Sequence, residues 1–250
     1  NESPDLNQAD SYLEHLTEMS EITQVLASED ILNEFGVLLV PKGTPIKKSV
    51  ADRLNGHGME KPLDEVVAVE DLLTYQQLEE DITQLINQYP DFTQIHQQLD
   101  FQNKLKHLCS VSNIPRLLLQ KLSVLKERLI PVYLRSLFVA WFGALIGNEM
   151  KWGVEQIKQV FLAGLYHDLG LLHLPPDLIG ITQFSQQQWR LMESHVFISK
   201  QIVENAYLYD KDLLDAIVQH HERCDGTGYP RKLTAKSLGI IGQIIALSDN

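Results

Sequence analysis

His220-His221-Glu222-Arg223-Cys224-Asp225-Gly226-Thr227-Gly228-Tyr229-Pro230 is the stretch on which the reading of this chain turns. Two successive imidazoles and a carboxylate run into a glycine-rich turn that ends in Tyr-Pro. Neighbouring side chains on a helix point about 100° apart, so His220 and His221 can face one site only at a frayed helix end. Upstream lie Tyr166-His167-Asp168-Leu169-Gly170 and Glu193-Ser194-His195. A His-Asp doublet at a helix end supplies one imidazole and one carboxylate able to bridge two cations, and His195, His220 and His221 would add nitrogen ligands from two other helices. Mixed nitrogen and oxygen ligation suits Fe, Mn, Zn, Co or Ni rather than Ca. Two cations side by side can activate a water and neutralise a phosphodiester.

Taken singly, each piece has a plainer reading. A lone His-Asp pair is more often a helix-terminal hydrogen bond than a ligand pair, and His195 alone is more often the half-buried partner of a carboxylate. The Asp225–Pro230 segment alone is simply a turn.

Working outward, strand signals nearly vanish after Asp71. Leu72, Leu78, Ile82, Leu85 and Ile86 recur at helical spacing, and the pattern predicts further helices over Phe92–Leu108, Arg116–Leu129, Val132–Ile146, Val154–His167, Ser185–Tyr207, Lys211–His221 and Leu238–Leu247. Ser185-x-x-Gln188 is a capping box for one of them. Before Asp71 the pattern is short and mixed. Gly36–Val40 and Val66–Val69 read as strands, Pro41-Lys42-Gly43 as a turn, Ser49–Asn55 as a short helix, and residues 1–19 as a frayed polar lead-in. His57, between two glycines, reads as a surface loop residue.

In this order and on helices, the pieces resemble one family, the HD-GYP domains, whose signature is an HD doublet followed by HHE-x-x-DG-x-GYP. The likeness runs from about Leu129 to Asn250, and the small module before it also resembles one that precedes some bacterial HD-GYP domains. It implies a mainly α protein: a small α/β module over residues 1–70, a helical linker over 71–128, and an all-helical HD-GYP bundle over 129–250. It further implies a bacterial signalling protein that hydrolyses cyclic di-GMP to pGpG and GMP at a centre of two or three metals. By that resemblance His167 and Asp168 are catalytic ligands with Asp168 bridging, His195, His220 and His221 hold the second metal, and Asp249 completes the first. The metal would be Fe or Mn, with Zn, Ni or Co as alternatives. Asp225, Gly226, Gly228, Tyr229 and Pro230 would form a loop near substrate that also meets diguanylate cyclase (GGDEF) domains.

Three departures from the family pattern carry weight. Arg135 stands where the family has a histidine, Pro131 where it often has a glutamate, and Leu171 where it has a lysine suited to phosphate. A guanidinium stays protonated and cannot ligate a cation. The first metal position therefore keeps only His167, Asp168 and Asp249, and a buried Arg135 paired with Asp168 or Asp249 would lower its occupancy. His173 could stand in as a ligand, although a core-edge role is the commoner one. Two functions follow: a metal-dependent phosphodiesterase with one or two ions, or an inactive regulator that binds nucleotide or a partner and holds none. A structural domain with every histidine in hydrogen bonds is a distant third.

Composition sets the remaining bounds. A net charge of −12 argues against nucleic acid polymers and anionic membranes. The two cysteines, Cys109 and Cys224, form no CxxC, which fits a reducing cytoplasm, and no run approaches the ~18 uninterrupted apolar residues of a membrane span. The chain opens at Asn1 without a signal-peptide pattern and stops at Asn250 just after an apolar run, so more chain is expected to follow; a homodimer is also among the expectations.

Overall fold

The computed structural model describes residues 11–250; the first ten residues of the expected lead-in lie outside the described residues. The rest of that lead-in is not frayed. Ser11–Met19 is a helix, α1, that buries Tyr12, Leu13, Leu16 and Met19. These positions share one helical face, which acidic and polar neighbours disguise in the sequence.

The small module that follows contains β1 (Val25–Ala27), β2 (Ile31–Leu32), β3 (Leu38–Val40), α2 (Lys48–Leu54), α3 (Leu63–Val66) and β4 (Val67–Val69). β1 pairs antiparallel with β4, Val25 opposite Val69, and β2 pairs antiparallel with β3. The two predicted strands are therefore present, slightly trimmed, and the short helix is present one residue earlier, while β1 and β2 are too short to leave an alternating pattern.

Helices make up nearly all the remainder: α4 (Tyr75–Asn87), α5 (Pro90–Gln98), α6 (Gln102–Val111), α7 (Arg116–Arg128), α8 (Ile130–Glu149), α9 (Val154–Tyr166), α10 (Gln186–Glu193), α11 (His195–Ala206), α12 (Lys211–Gln219) and α13 (Ile240–Asp249). Two short 3-10 helices, Leu169–His173 and Pro176–Leu178, link α9 to α10. Two expected helices are each split. Phe92–Leu108 breaks where Asp100 takes a left-handed conformation with φ of 46°. Ser185–Tyr207 breaks at Ser194, because its halves pack differently: α10 buries none of its residues, whereas α11 buries His195, Val196, Ile198, Ser199, Ile202 and Val203. Ser185 does form the capping box, with both its bonds to Gln188 in place.

The buried apolar residues form one continuous core from Tyr12 to Ile245. At its centre α8 and α9 cross closely. A Cβ on Gly164 would lie 2.6 Å from the Ala140 Cα, so only glycine permits the approach. By length and composition α8 could cross a membrane, but 61% of its most apolar window is buried inside the protein, as in the core helix of a folded domain.

Polar bonds fasten the small module to α7. The Gln120 amide accepts from Val69 N at 3.1 Å and donates to Val67 O at 3.1 Å, extending β4 with a side chain. Ser123 Oγ accepts from Leu73 N at 2.8 Å. Lys121 is fully buried, 2.5 Å from Asp64 and 2.7 Å from His173 Nε2, and His173 stacks on Tyr12 at 5.1 Å. Because α1 lies under this joint, Leu16→Ala is expected to cost about 2–5 kcal/mol of stability in urea denaturation. A loss below about 0.5 kcal/mol, the range of a surface substitution, would mean that α1 is a dispensable lead-in.

Candidate metal centre

Four helix ends deliver the chemistry. His167 is the C-cap residue of α9, Asp168 follows it, His220 is the C-cap residue of α12, His195 opens α11, and Asp249 ends α13. The frayed-end condition for adjacent histidines is met, since α12 stops at Gln219. Three of these ends are helix C-termini, whose partial negative charge favours a cation.

Helix C-termini leave carbonyls without helical partners, and the imidazoles use those at the ends of α9, α10 and α12. Nδ1 of His167 lies 2.8 Å from Gly164 O, Nδ1 of His195 2.6 Å from Met192 O, and Nδ1 of His220 2.6 Å from Ile217 O. A carbonyl can only accept, so each Nδ1 carries a proton and each Nε2 is turned inward.

All three Nε2 atoms converge on Asp168. Its Oδ1 lies 3.3 Å from His195 and 3.6 Å from His220, while its Oδ2 lies 3.3 Å from His167. Asp249 Oδ1 is 3.5 Å from His167, and its Oδ2 is 3.8 Å from His221 Nδ1. Two overlapping donor sets result, Asp168-His195-His220-His221 and His167-His220-Asp249, and within each set all donor atoms lie within 4.8 Å of one another. The two oxygens of Asp168 face different imidazoles, the arrangement a bridging carboxylate needs.

Two observations fit cations at this place. His195 Nε2 and His220 Nε2 face each other at 3.2 Å with both Nδ1 atoms already committed, so two lone pairs oppose one another unless a positive charge lies between. His167 Nε2 and Asp249 Oδ1 are buried without a hydrogen-bond partner. Unsatisfied buried groups of this kind are costly in a folded protein unless something completes them.

The electrostatics divide the two sets. Burial pushes His221 down to about 2, reinforced by the neighbouring imidazoles, and burial lowers His220, so both are neutral donors at physiological pH. At His167 burial works against the charged form, but Asp168 and Asp249 outweigh it and raise the imidazole to about 10. Asp168 is held well below the usual carboxylate range, its burial overcome by the charge on His167. In the metal-free chain a proton on His167 thus supplies the positive charge between two carboxylates.

Glycines and a clamp hold the framework. A Cβ on Gly170 would lie 2.2 Å from His195 O, so that glycine lets the 3-10 helix after Asp168 press against α11. Buried Glu222 accepts backbone bonds from Arg231 at 2.6 Å and Leu233 at 2.9 Å, fixing the turn that follows the histidine pair. In that turn Asp225 Oδ1 accepts from Thr227 N at 2.9 Å, Gly226 has φ of 79°, and Tyr229 stacks on His221 at 4.6 Å. Asp225, Gly226 and the Gly228-Tyr229-Pro230 run therefore form one ordered loop beside the donor sets.

The departures resolve differently from expectation. Arg135 is not buried: its side chain is 57% exposed, and of the two expected partners it reaches Asp249 alone, its one ion pair among the described residues, with Oδ1 at 3.9 Å and beyond hydrogen-bond reach. Pro131 sits in the first turn of α8 and Leu171 is buried in the 3-10 helix. His173 points away to Lys121 and Tyr12, so it is no substitute ligand. Sequence reasoning missed Trp189, which meets Tyr229 edge-on at 5.5 Å; a large aromatic among the polar residues of Gln186–Glu193 is the signal that marks it.

An all-helical bundle whose helix ends gather a His-Asp doublet and three further histidines is the architecture of an HD-type phosphohydrolase. Residues 121–250 match the family model described as HD domain, and the chain belongs to that family; its His220–Pro230 block is of the HD-GYP kind. Among curated relatives, it is 31% identical over 110 residues to 3'3'-cGAMP-specific phosphodiesterase 1 of Vibrio cholerae, covering 42% of this chain and 24% of that protein. It is 28% identical over 116 residues to a cyclic di-GMP phosphodiesterase of Thermotoga maritima, covering 45% and 31%. The chain thus spans between a quarter and a third of those relatives' lengths. Among solved structures, an HDG"Y"P protein from Bdellovibrio bacteriovorus aligns with a TM-score of 0.46 and 15% identity, over 91% of this chain and 81% of that one.

A cation bound through His167 must displace its proton. Below about 10 the imidazole is charged, so affinity for added Mn2+ at the His167-His220-Asp249 set is expected to rise with pH, by about tenfold per unit across the neutral range. Calorimetry in buffers of different ionisation enthalpy should show close to one proton released per ion there. A pH-independent affinity with no proton release would contradict the charged His167.

Proposed function

We propose that this chain is a metal-dependent phosphodiesterase of cyclic dinucleotides, with cyclic di-GMP as the leading substrate. The observation that carries the reading is the pair of opposed His195 and His220 Nε2 atoms over Asp168 Oδ1, an arrangement that calls for a cation. The names of the relatives, phosphodiesterases of cGAMP and cyclic di-GMP, supply the substrate class.

In this reading Asp168, His195, His220 and His221 hold one ion, and His167, Asp249 and the other oxygen of Asp168 hold a second more weakly. Iron or manganese suits that mixed set. Bound there, the cations would supply Lewis acidity toward the phosphodiester and lower the pKa of a water. The chain's own contribution is placement. The carbonyl-tethered imidazoles keep one tautomer, the glycines at 164 and 170 hold the helix ends together, and the Tyr229 ring covers His221. The same proposal takes residues 1–70 as a sensing module and the Asp225–Pro230 loop as the contact for a GGDEF partner, in a cytoplasmic setting.

A second reading is favoured by one observation: a fixed cation, Arg135, lies beside Asp249 where a further ligand would complete the weaker set. A chain that binds cyclic dinucleotide without turnover would follow from it. Metal analysis of protein purified without chelator, with cyclic di-GMP turnover measured in added Mn2+ or Fe2+, separates the two. The enzymatic reading expects at least one ion per chain and formation of pGpG. Asp168→Asn, which removes the charge facing three imidazoles, is expected to lower kcat by about a thousandfold or more. Nucleotide binding with no metal and no product would establish the regulator instead, as would binding without product by the metal-loaded chain.

A further inference from the structure

Two exposed side chains stand at the mouth of the centre without a part in its donor sets. Arg135 is the first. Among the described residues its guanidinium makes no hydrogen bond and has one long approach, to Asp249 at 3.9 Å, and with the side chain 57% exposed its N–H donors are open to solvent.

Trp189 is the second. It is 42% exposed on α10, a helix none of whose residues is buried, so the indole is not there to fill a core. Aromatic edges hold it in place instead: Phe184 at 5.7 Å with planes at 62°, and Tyr229 at 5.5 Å with planes at 73°. Tyr229 in turn stacks on His221 at 4.6 Å. A chain of rings therefore leads from the donor set to a half-exposed indole. A half-exposed indole offers a flat apolar surface with a polar N–H edge, which suits the plane of a base.

We infer that Arg135 and Trp189 form the rim that selects the ligand, the guanidinium taking a phosphodiester oxygen and the indole stacking on a purine base. This rests on the cyclic-dinucleotide reading above and adds the residues that recognise it. A guanidinium fork matches phosphate oxygens, and an indole face accepts any base plane. Both side chains are exposed, so their replacement empties no core.

The test uses the full chain loaded with Mn2+ and equilibrium binding of the non-hydrolysable bisphosphorothioate analogue of cyclic di-GMP, with metal content measured on the same samples. Trp189→Ala is expected to weaken binding about tenfold and Trp189→Phe by less than about threefold, with metal content unchanged. Arg135→Gln is expected to weaken binding about tenfold and to flatten its salt dependence, with Arg135→Lys in between. Wild-type binding that is left within about twofold by both Trp189→Ala and Arg135→Gln would overturn the rim alone, because each contact should be worth more than that. An effect confined to one position would overturn the pairing. Absence of binding by the metal-loaded wild-type chain would overturn the rim together with the cyclic-dinucleotide reading.

Discussion

The centre is arranged around the direction of three imidazole Nε2 atoms. Helix ends leave carbonyls that need donors, and His167, His195 and His220 satisfy them through Nδ1. That single local bond fixes the tautomer, turns each Nε2 inward, and aims all three at one carboxylate, Asp168. The same bonds that terminate the helices therefore build the centre. A substitution that moved α9, α11 or α12 by a fraction of an ångström would disturb both.

Holding Nε2 atoms and two carboxylates in a buried space opposes stability, because the charges lose water and the lone pairs repel. The scaffold has to over-determine the geometry to keep it. It does so with close approaches that only glycine allows, at Gly164 against α8 and at Gly170 against α11. A core continuous with the N-terminal module adds to this. The module is joined to the segment that follows Asp168 through the buried Lys121, Asp64 and His173 group, so the helix ends and the module share one packed framework. Within the metal-free centre the raised His167 shows how the remaining imbalance is met: a proton sits where two carboxylates would otherwise face each other.

The parts of this design that were legible in the sequence are those set by local rules. The His-Asp doublet, the paired histidines at a helix end and the glycine-rich turn depend on neighbours in the chain, and the structure brings His167, Asp168, His195, His220, His221 and Asp249 together in two overlapping clusters. What stayed hidden depends on packing at a distance. The apolar pattern of Ser185–Tyr207 runs on through Ser194, yet α10 and α11 rest on different surroundings and part company there. α1 carries too many acidic and polar residues for its one apolar face to stand out. The 3-10 helix that turns His173 toward Lys121, away from the centre, has no periodic signature at all.

Arg135 shows most clearly why the pattern could not decide. α8 is apolar on nearly every side, so its sequence has no phase from which to tell an inward position from an outward one. Read as buried, an arginine beside Asp249 would be a permanent occupant of a cation site and would argue for a dead centre. At 57% exposure, its charge is screened by water and its contact with Asp249 is too long to satisfy that carboxylate, whose Oδ1 remains without a hydrogen bond. Arg135 therefore neither adds a ligand to the His167-His220-Asp249 set nor completes Asp249. It leaves a donor set that is short on one side, and at its open edge a cation that can meet an anion arriving from solvent.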